Sequence, residues 1–377
     1  MDDSFSGSCT RREFLKGTFR LCCLGGLSVV LPHPLVATGS RETESGLEES
    51  EAVPQISQRP DASTDVKSGF EPAYLELHRS GELRRRAEAL TDVMKSCRLC
   101  PRECGVNRLA GAEGFCGAPG ATLVVATASP HFGEERPLVG SGGSGTIFFS
   151  HCNLRCVFCQ NYTIAHFGRG ADTPVRGLAG MMMALQDLGC HNINIVTPTH
   201  YSPHLVEAVD VAAARGLRLP IVYNTSGWER IEILRLLDGI VDIYLPDFKY
   251  WDPAMSAKYS AGAQSYPSMT KEAILEMNRQ VGVARPAETG IMERGLMIRH
   301  LVMPNDVSGS EQIMEWIAGN LPKDTYVNIM AQYNPVHKAY DYQEISRRIT
   351  REEYDRVAHK ARDLGLTNLD LQWFSWL

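Results

Sequence analysis

From Thr146 onward the chain alternates between short apolar runs and longer stretches of helical period. The runs are Thr146–Phe149, Ile193–Val196, Ile221–Tyr223, Val241–Leu245, Leu296–Val302 and Tyr326–Met330. Apolar runs of this length, bounded by turn residues, read as buried strands. Between them Gly177–Leu188, Pro203–Arg215, Trp228–Leu237, Lys271–Val281 and Ser310–Leu321 carry helical spacing. Strands alternating with helices predict an α/β fold, a parallel sheet joined by crossover helices. The pattern gives six such strand–helix units and no long internal repeat.

The flanks read differently. Pro72 suits the first turn of a helix, and Tyr74, Leu75, Leu83, Ala87, Leu90 and Met94 mark an apolar stripe running to about residue 94. Gly140–Gly145 is glycine-rich but precedes a strand and lacks Gly-Lys-Ser/Thr, so it reads as an approach to that strand, not a phosphate loop. Residues 342–364 are charged and helical in pattern, expected to pack outside the core; Trp373 and Trp376 carry no functional reading. The expected organisation is a leader over 1–37, a disordered linker over 38–70, and a helix with a cysteine knuckle over 71–142. A catalytic core over 143–335 and a helical tail over 336–377 follow.

Composition narrows the class. Of 377 residues 44% are hydrophobic and 22% charged, as in ordinary globular chains. A formal net charge of −6 implies no basic surface, so nucleic acid is not an expected partner. No apolar stretch reaches a membrane span. Thr10-Arg11-Arg12-Glu13-Phe14-Leu15-Lys16, an apolar run over 21–31 and a cleavage point near Ala37 resemble a twin-arginine export leader.

Eleven cysteines are present, mostly in close clusters, and clusters point to metal ligation rather than a disulfide framework. Cys152, Cys156 and Cys159 follow the first strand at C-x3-C-x2-C spacing. Three thiolates are one short of closing a four-iron cluster, which leaves an open metal position of the kind catalytic sites keep. A zinc site completed by His151 or His166, or a disulfide, would use the same residues. Upstream, Cys97, Cys100, Cys104 and Cys116 form a complete set of four, suited to structural zinc or an auxiliary iron–sulfur cluster, or to no metal.

The three-cysteine spacing resembles the signature of radical S-adenosylmethionine (SAM) enzymes. Gly-Thr-Ile-Phe-Phe-Ser at 145–150, Thr-Pro-Thr-His at 197–200, Tyr-Asn-Thr-Ser-Gly at 223–227, Leu-Pro-Asp-Phe-Lys-Tyr at 245–250 and the upstream knuckle extend the likeness. Together they resemble a family of iron–sulfur proteins similar to pyruvate formate-lyase activating enzyme. The resemblance implies a partial (β/α)6 barrel, a 4Fe–4S cluster on Cys152, Cys156 and Cys159, and SAM on its open iron. It implies reductive cleavage of SAM to a 5′-deoxyadenosyl radical that takes hydrogen from a substrate, which could be a protein glycine. A reductase, ferredoxin or flavodoxin would supply the electron. Phe158 occupies the slot of the aromatic that lies near the adenine.

In α/β barrels the chemistry gathers at the C-terminal strand ends. Thr197 stands where the family's motif for the SAM amino group is expected, although the sequence there is not glycine-glycine-glutamate. Asn224 and Thr225 suit ribose hydroxyls or a cation; a simple helix cap is the plain alternative. Asp247 and Lys249, two apart in extended chain, share a face and suit an amino-acid zwitterion, unless they form only a surface ion pair. Arg299 lies inside an apolar strand, where an unpaired charge is costly, so it is expected to meet an anion in a polar lumen. His200 is weighed as ligand, proton carrier or packing residue. The leader points to export to the periplasm, whereas the supply of SAM argues for work in the cytoplasm. An exported electron carrier that does not cleave SAM, or a zinc-stabilised binding module, are the alternative readings.

Overall fold

A computed structural model describes residues 69–372. The expected leader, and all but the last two residues of the expected linker, lie outside the described residues. The described chain forms one nine-stranded sheet that is mixed and not closed, in the order β3-β1-β2-β4-β5-β6-β7-β8-β9. The strands are β1 (Leu123–His131), β2 (Ser144–Phe149), β3 (Ala171–Thr173), β4 (Ile193–Val196), β5 (Ile221–Thr225), β6 (Ile243–Pro246), β7 (Gly295–Leu301), β8 (Tyr326–Met330) and β9 (Leu369–Leu371). From β2 through β4 to β9 every pairing is parallel; β1 runs antiparallel to β2 and to β3.

The six expected strands are therefore all present as the parallel body of an α/β fold. The sheet passes the expected core boundaries on both sides, because β1 joins from the knuckle region and β9 from the tail. The tail carries the expected helix, Arg351–Asp363, which opens on a Thr350/Glu353 capping box. The single helix expected from Pro72 to Met94 is two: α1 (Tyr74–Arg79) and α2 (Glu82–Val93). The break falls at Gly81, whose φ of +73° turns the backbone out of the right-handed helix. Among the described residues no helix is long and apolar enough to cross a membrane.

Alternation along the strands separates two cores. Tyr223, Tyr244, Ile298, Val327 and Ile329 join the large outer core beneath the helices. Val222, Ile243, Leu245, Met297 and Tyr326 form a smaller inner cluster with Leu138. Stepping two residues toward the C-terminal end of each strand turns this inner face polar: Val222 gives way to Asn224, Leu245 to Asp247, Met297 to Arg299, Tyr326 to Asn328. Register agrees, with Arg299 opposite Asn328 and bridged to Asp247. The inner face is thus greasy at its floor and charged at its rim. The segment after β1 supplies the plug: Asn192 Nδ2 donates to Leu138 O at 2.8 Å, and Asn328 Nδ2 to Glu135 Oε1 at 3.0 Å.

Candidate active site at the C-terminal strand ends

The three-cysteine loop leaves the end of β2 and folds back on itself. His151 and Arg155 hold left-handed backbone, φ +69° and +50°, unusual for residues with a Cβ. Backbone bonds pin the turn: His151 N to Ile164 O (2.9 Å), Val157 N to Tyr259 O (2.9 Å) and Lys338 N to Val157 O (3.0 Å). Cys152, Cys156 and Cys159 are free thiols. Donors are aimed at their sulfurs: Leu154 N lies 3.4 Å from Cys152 Sγ and Ser260 Oγ 3.1 Å from Cys156 Sγ. Burial pushes the Cys156 thiol up to about 11 and raises Cys159 as well. Left alone these are neutral thiols; a bound metal would deprotonate them outright.

Beside this loop lies a buried charge network. Arg299 Nε donates to Asp247 Oδ1 at 2.8 Å and its Nη2 to Asn224 Oδ1 at 2.6 Å. Lys249 Nζ meets Asp247 Oδ2 at 2.5 Å. Asp247 and Lys249 keep 13% and 16% of their side chains exposed, so they are no surface pair. Burial alone would raise the Asp247 carboxyl, but Arg299 and Lys249 outweigh it and hold it below its ordinary range. Lys249 and Asp247 are also in electrostatic range of Cys156. One phenol braces the rim: Tyr266 donates to Ser226 O (2.8 Å) and Asp247 O (2.9 Å) and accepts from Lys249 N (2.9 Å).

The other expected contacts are placed as follows. Thr197, just past β4, holds φ +62° and donates its N–H to Asn224 O at 2.8 Å. Phe158 is buried against Tyr333 and Tyr250, ring centroids 5.7 and 6.3 Å away. Thr225 is engaged elsewhere, its hydroxyl donating to Glu229. His200 is a packing residue: Nε2 is 2.8 Å from Ser150 O, and burial pushes it down to about 3. His151 and His166 spend a ring nitrogen on the carbonyls of Cys116 and Cys156. Among the described residues no three His, Cys, Asp or Glu side chains are close-set enough to hold one metal ion, so the zinc alternative is not shown.

Sequence reasoning missed three contributors. Glu134 and Glu135 enter the inner face from the β1–β2 connection, Glu134 Oε2 lying 3.8 Å from Arg299 Nη1. Burial pushes Glu135 up to about 7 against the pull of Arg299, and its Oε2 has no partner. Glu229 sits beneath β5 and takes the Thr199 hydroxyl at 2.6 Å; burial pushes it up to about 7 as well. No motif marks these acids, and the apolar run that opens β1, Leu123–Ala126, ends well before the first two.

With this geometry in place, comparison with known proteins decides the family. The radical SAM superfamily model matches residues 146–317, from the first parallel strand to the helix after β7. An uncharacterized protein of Methanocaldococcus jannaschii is 32% identical over 307 residues, 79% of this chain and 82% of the relative. The chain belongs to the radical SAM superfamily. Two solved structures are also similar: a radical SAM methyltransferase from Sphaerobacter thermophilus and methylornithine synthase. The first has 17% identity and TM-score 0.42, covering 60% of this chain and 66% of that one. The second has 13% identity and TM-score 0.39, covering 80% and 83%.

Membership in the radical SAM superfamily implies a 4Fe–4S cluster and SAM. The donor set fits: three free thiols on one short loop, N–H and O–H groups directed at their sulfurs, and a zwitterion-compatible set of charges within electrostatic range. Cys152, Cys156 and Cys159 would hold the cluster. When bound, it supplies the electron that cleaves SAM reductively.

Proposed function

We propose that this radical SAM protein is of the activating-enzyme kind, taking a hydrogen atom from a glycine of a partner protein. One observation carries the reading: the cysteine loop and the Asn224–Arg299–Asp247–Lys249 network gather at the C-terminal ends of the parallel strands. Asn224, Asp247 and Arg299 are its SAM contacts, with Lys249, Thr197 and Phe158 beside them. Asp247 is already a carboxylate between two cations, so a ligand's ammonium and carboxylate groups can exchange into that network without leaving a charge unpaired. Thr225 acts through Glu229 to position Asn224, its neighbour on β5.

The plugged inner face below keeps water away from the reacting atoms. Phe167 and Tyr340 stay 60% and 65% exposed beside the loop, and Phe167 packs edge-on to His337, 6.0 Å between rings. Such a rim suits a protein substrate better than a small molecule. The Asp247-x-Lys249 pair and the Arg299 strand support the narrower kind. A reductase, ferredoxin or flavodoxin supplies the electron in this reading.

The test is anaerobic reconstitution, chemical reduction and measurement of 5′-deoxyadenosine. An intact cluster that forms no nucleoside, together with no heat of SAM binding in calorimetry, would leave an electron carrier instead. Deuterium from glycine-labelled protein of the source cell should appear in the nucleoside. Nucleoside formed without deuterium overturns the glycine assignment and leaves SAM cleavage standing.

A further inference from the structure

The reaction above has no use for Cys97, Cys100, Cys104 and Cys116. Cys97, Cys100 and Cys116 are each 6% exposed, Cys104 is half-buried, and all four are free thiols. Cys100 lies within electrostatic range of the other three. The backbone shapes the group. Cys97 N donates to Val106 O (2.8 Å), Gly105 N to Cys97 O (3.0 Å), and Phe115 N to Cys104 Sγ (3.3 Å). Gly114 makes room: a Cβ there would stand 3.2 Å from Cys104 Sγ.

Three arginines surround the knuckle. Arg108 is only 1% exposed. It donates to His200 O at 2.8 Å and Pro119 O at 2.7 Å, and its Nε has no partner. Arg155 Nη2 donates to Cys116 O at 3.1 Å. Arg102 donates from each of its three nitrogens, to Asn153 O (2.9 Å), Ala261 O (2.8 Å) and Ser260 O (3.1 Å). Among the described residues none of the three is paired with a carboxylate, whereas Arg299 at the strand ends is. Aromatic faces share the load, with Arg102 over Phe115 (3.9 Å) and Trp228 (4.8 Å), Arg155 over Phe115 (5.1 Å) and Arg108 over Tyr201 (5.9 Å), yet an arginine taken out of water without an anion is costly. Arg108 lies within electrostatic range of Cys116, and Arg102 of Cys100 and Cys104. The anion such a ring of cations calls for is one the sulfurs can supply: four thiolates on a divalent ion or a 4Fe–4S core carry a formal charge of about −2.

We propose that Cys97, Cys100, Cys104 and Cys116 close a second, four-thiolate metal centre whose counter-charges are Arg102, Arg108 and Arg155. Four thiolates suit zinc as well as an iron–sulfur core; the iron–sulfur form is the one put to the test. The centre also braces the radical loop. Arg102 reaches Asn153 O inside that loop and Ser260 O, and Ser260 Oγ donates to Cys156 Sγ.

The experiment is metal and sulfide analysis of full-length protein purified without oxygen. Wild type is compared with a Cys152→Ala/Cys156→Ala/Cys159→Ala variant, which leaves the knuckle intact, each checked for folding by circular dichroism. About eight iron atoms per chain are expected in wild type and about four, with about four sulfides, in the variant. Adding Cys97→Ser and Cys104→Ser should bring the variant to background. One zinc and no iron in the triple variant keeps the four-thiolate centre and overturns its iron–sulfur identity. A folded triple variant with neither metal overturns the proposal. Equal iron in wild type and triple variant would instead count against the radical cluster.

Discussion

The two cysteine groups face opposite electrostatic surroundings. The loop group looks, through Cys156 and Cys159, toward Lys249 and Asp247, where each charge has a side-chain partner, while Cys152 lies in range of Arg102. The knuckle group looks toward arginines fixed on backbone carbonyls. A network of exchangeable ion pairs can admit a charged ligand. A ring of cations tied to main chain can only hold a fixed anion. On the proposed reading the first arrangement suits a working site and the second a permanent fixture, although both are made of the same residue type.

The sharpest way to break the contrast is Cys156→Ala. It should abolish 5′-deoxyadenosine formation and lower iron by about four atoms per chain, while the knuckle keeps its metal. Loss of metal from both groups would show that they are one unit.

Asp247→Ala comes next. It leaves Arg299 and Lys249 buried without their shared partner, with an expected cost of about 3–5 kcal/mol in denaturant unfolding. SAM binding by calorimetry should fall with it. A change below about 1 kcal/mol would mean that the network is solvated and the contrast too strongly drawn.

The two regions should also respond to pH in opposite directions. Glu229, under the strand ends, has its carboxyl raised to about 7 in the fold. Its contribution is present below the ordinary value near 4.5 and is lost as pH rises through 7. Glu229→Gln should therefore stabilise the protein at pH 8, on the order of 3 kcal/mol, and do little at pH 4.5. His204, near Arg108, is pushed down to about 4 by burial. Its neutral form is favoured, so stability is full above about 6.5 and is lost as pH falls toward 4. His204→Gln should flatten that acid limb. Unfolding midpoints at several pH values read both effects.

The smallest effect is expected from Ser260→Ala, which removes one O–H···S bond to Cys156. Stability should change by about 1 kcal/mol or less, and the loop cluster's reduction potential should fall.

Much of this was legible in the chain before any coordinates. The strand runs stand out because they are buried on both sides, and Asn224, Asp247 and Arg299 could be singled out because they are polar residues at the ends of such runs. What escaped depends on long-range placement. β9 is three residues long and gains its identity only by pairing with β8. β1 opens on the apolar run Leu123–Ala126, but its second half, with Ala128 and Pro130, loses the pattern, so nothing announced that the chain behind it would carry Glu134 and Glu135 into the sheet. Thr225 could be read either as a ligand contact or as a local cap, and its bond to Glu229, four residues on, favours a local role. Gly81 was visible as a letter but not as a break, since an isolated glycine inside a helical pattern is often tolerated.

The margins of the sheet have a consequence for how molecules of this kind meet one another. The outermost strands in the described order, β3 and β9, are three residues each. A neighbouring chain seeking to extend the ladder would find few rungs on either side. Long bare edges invite such stacking, and short ones discourage it. A wide, unclosed sheet can in this way leave one end free for its cofactors without becoming a template for fibres.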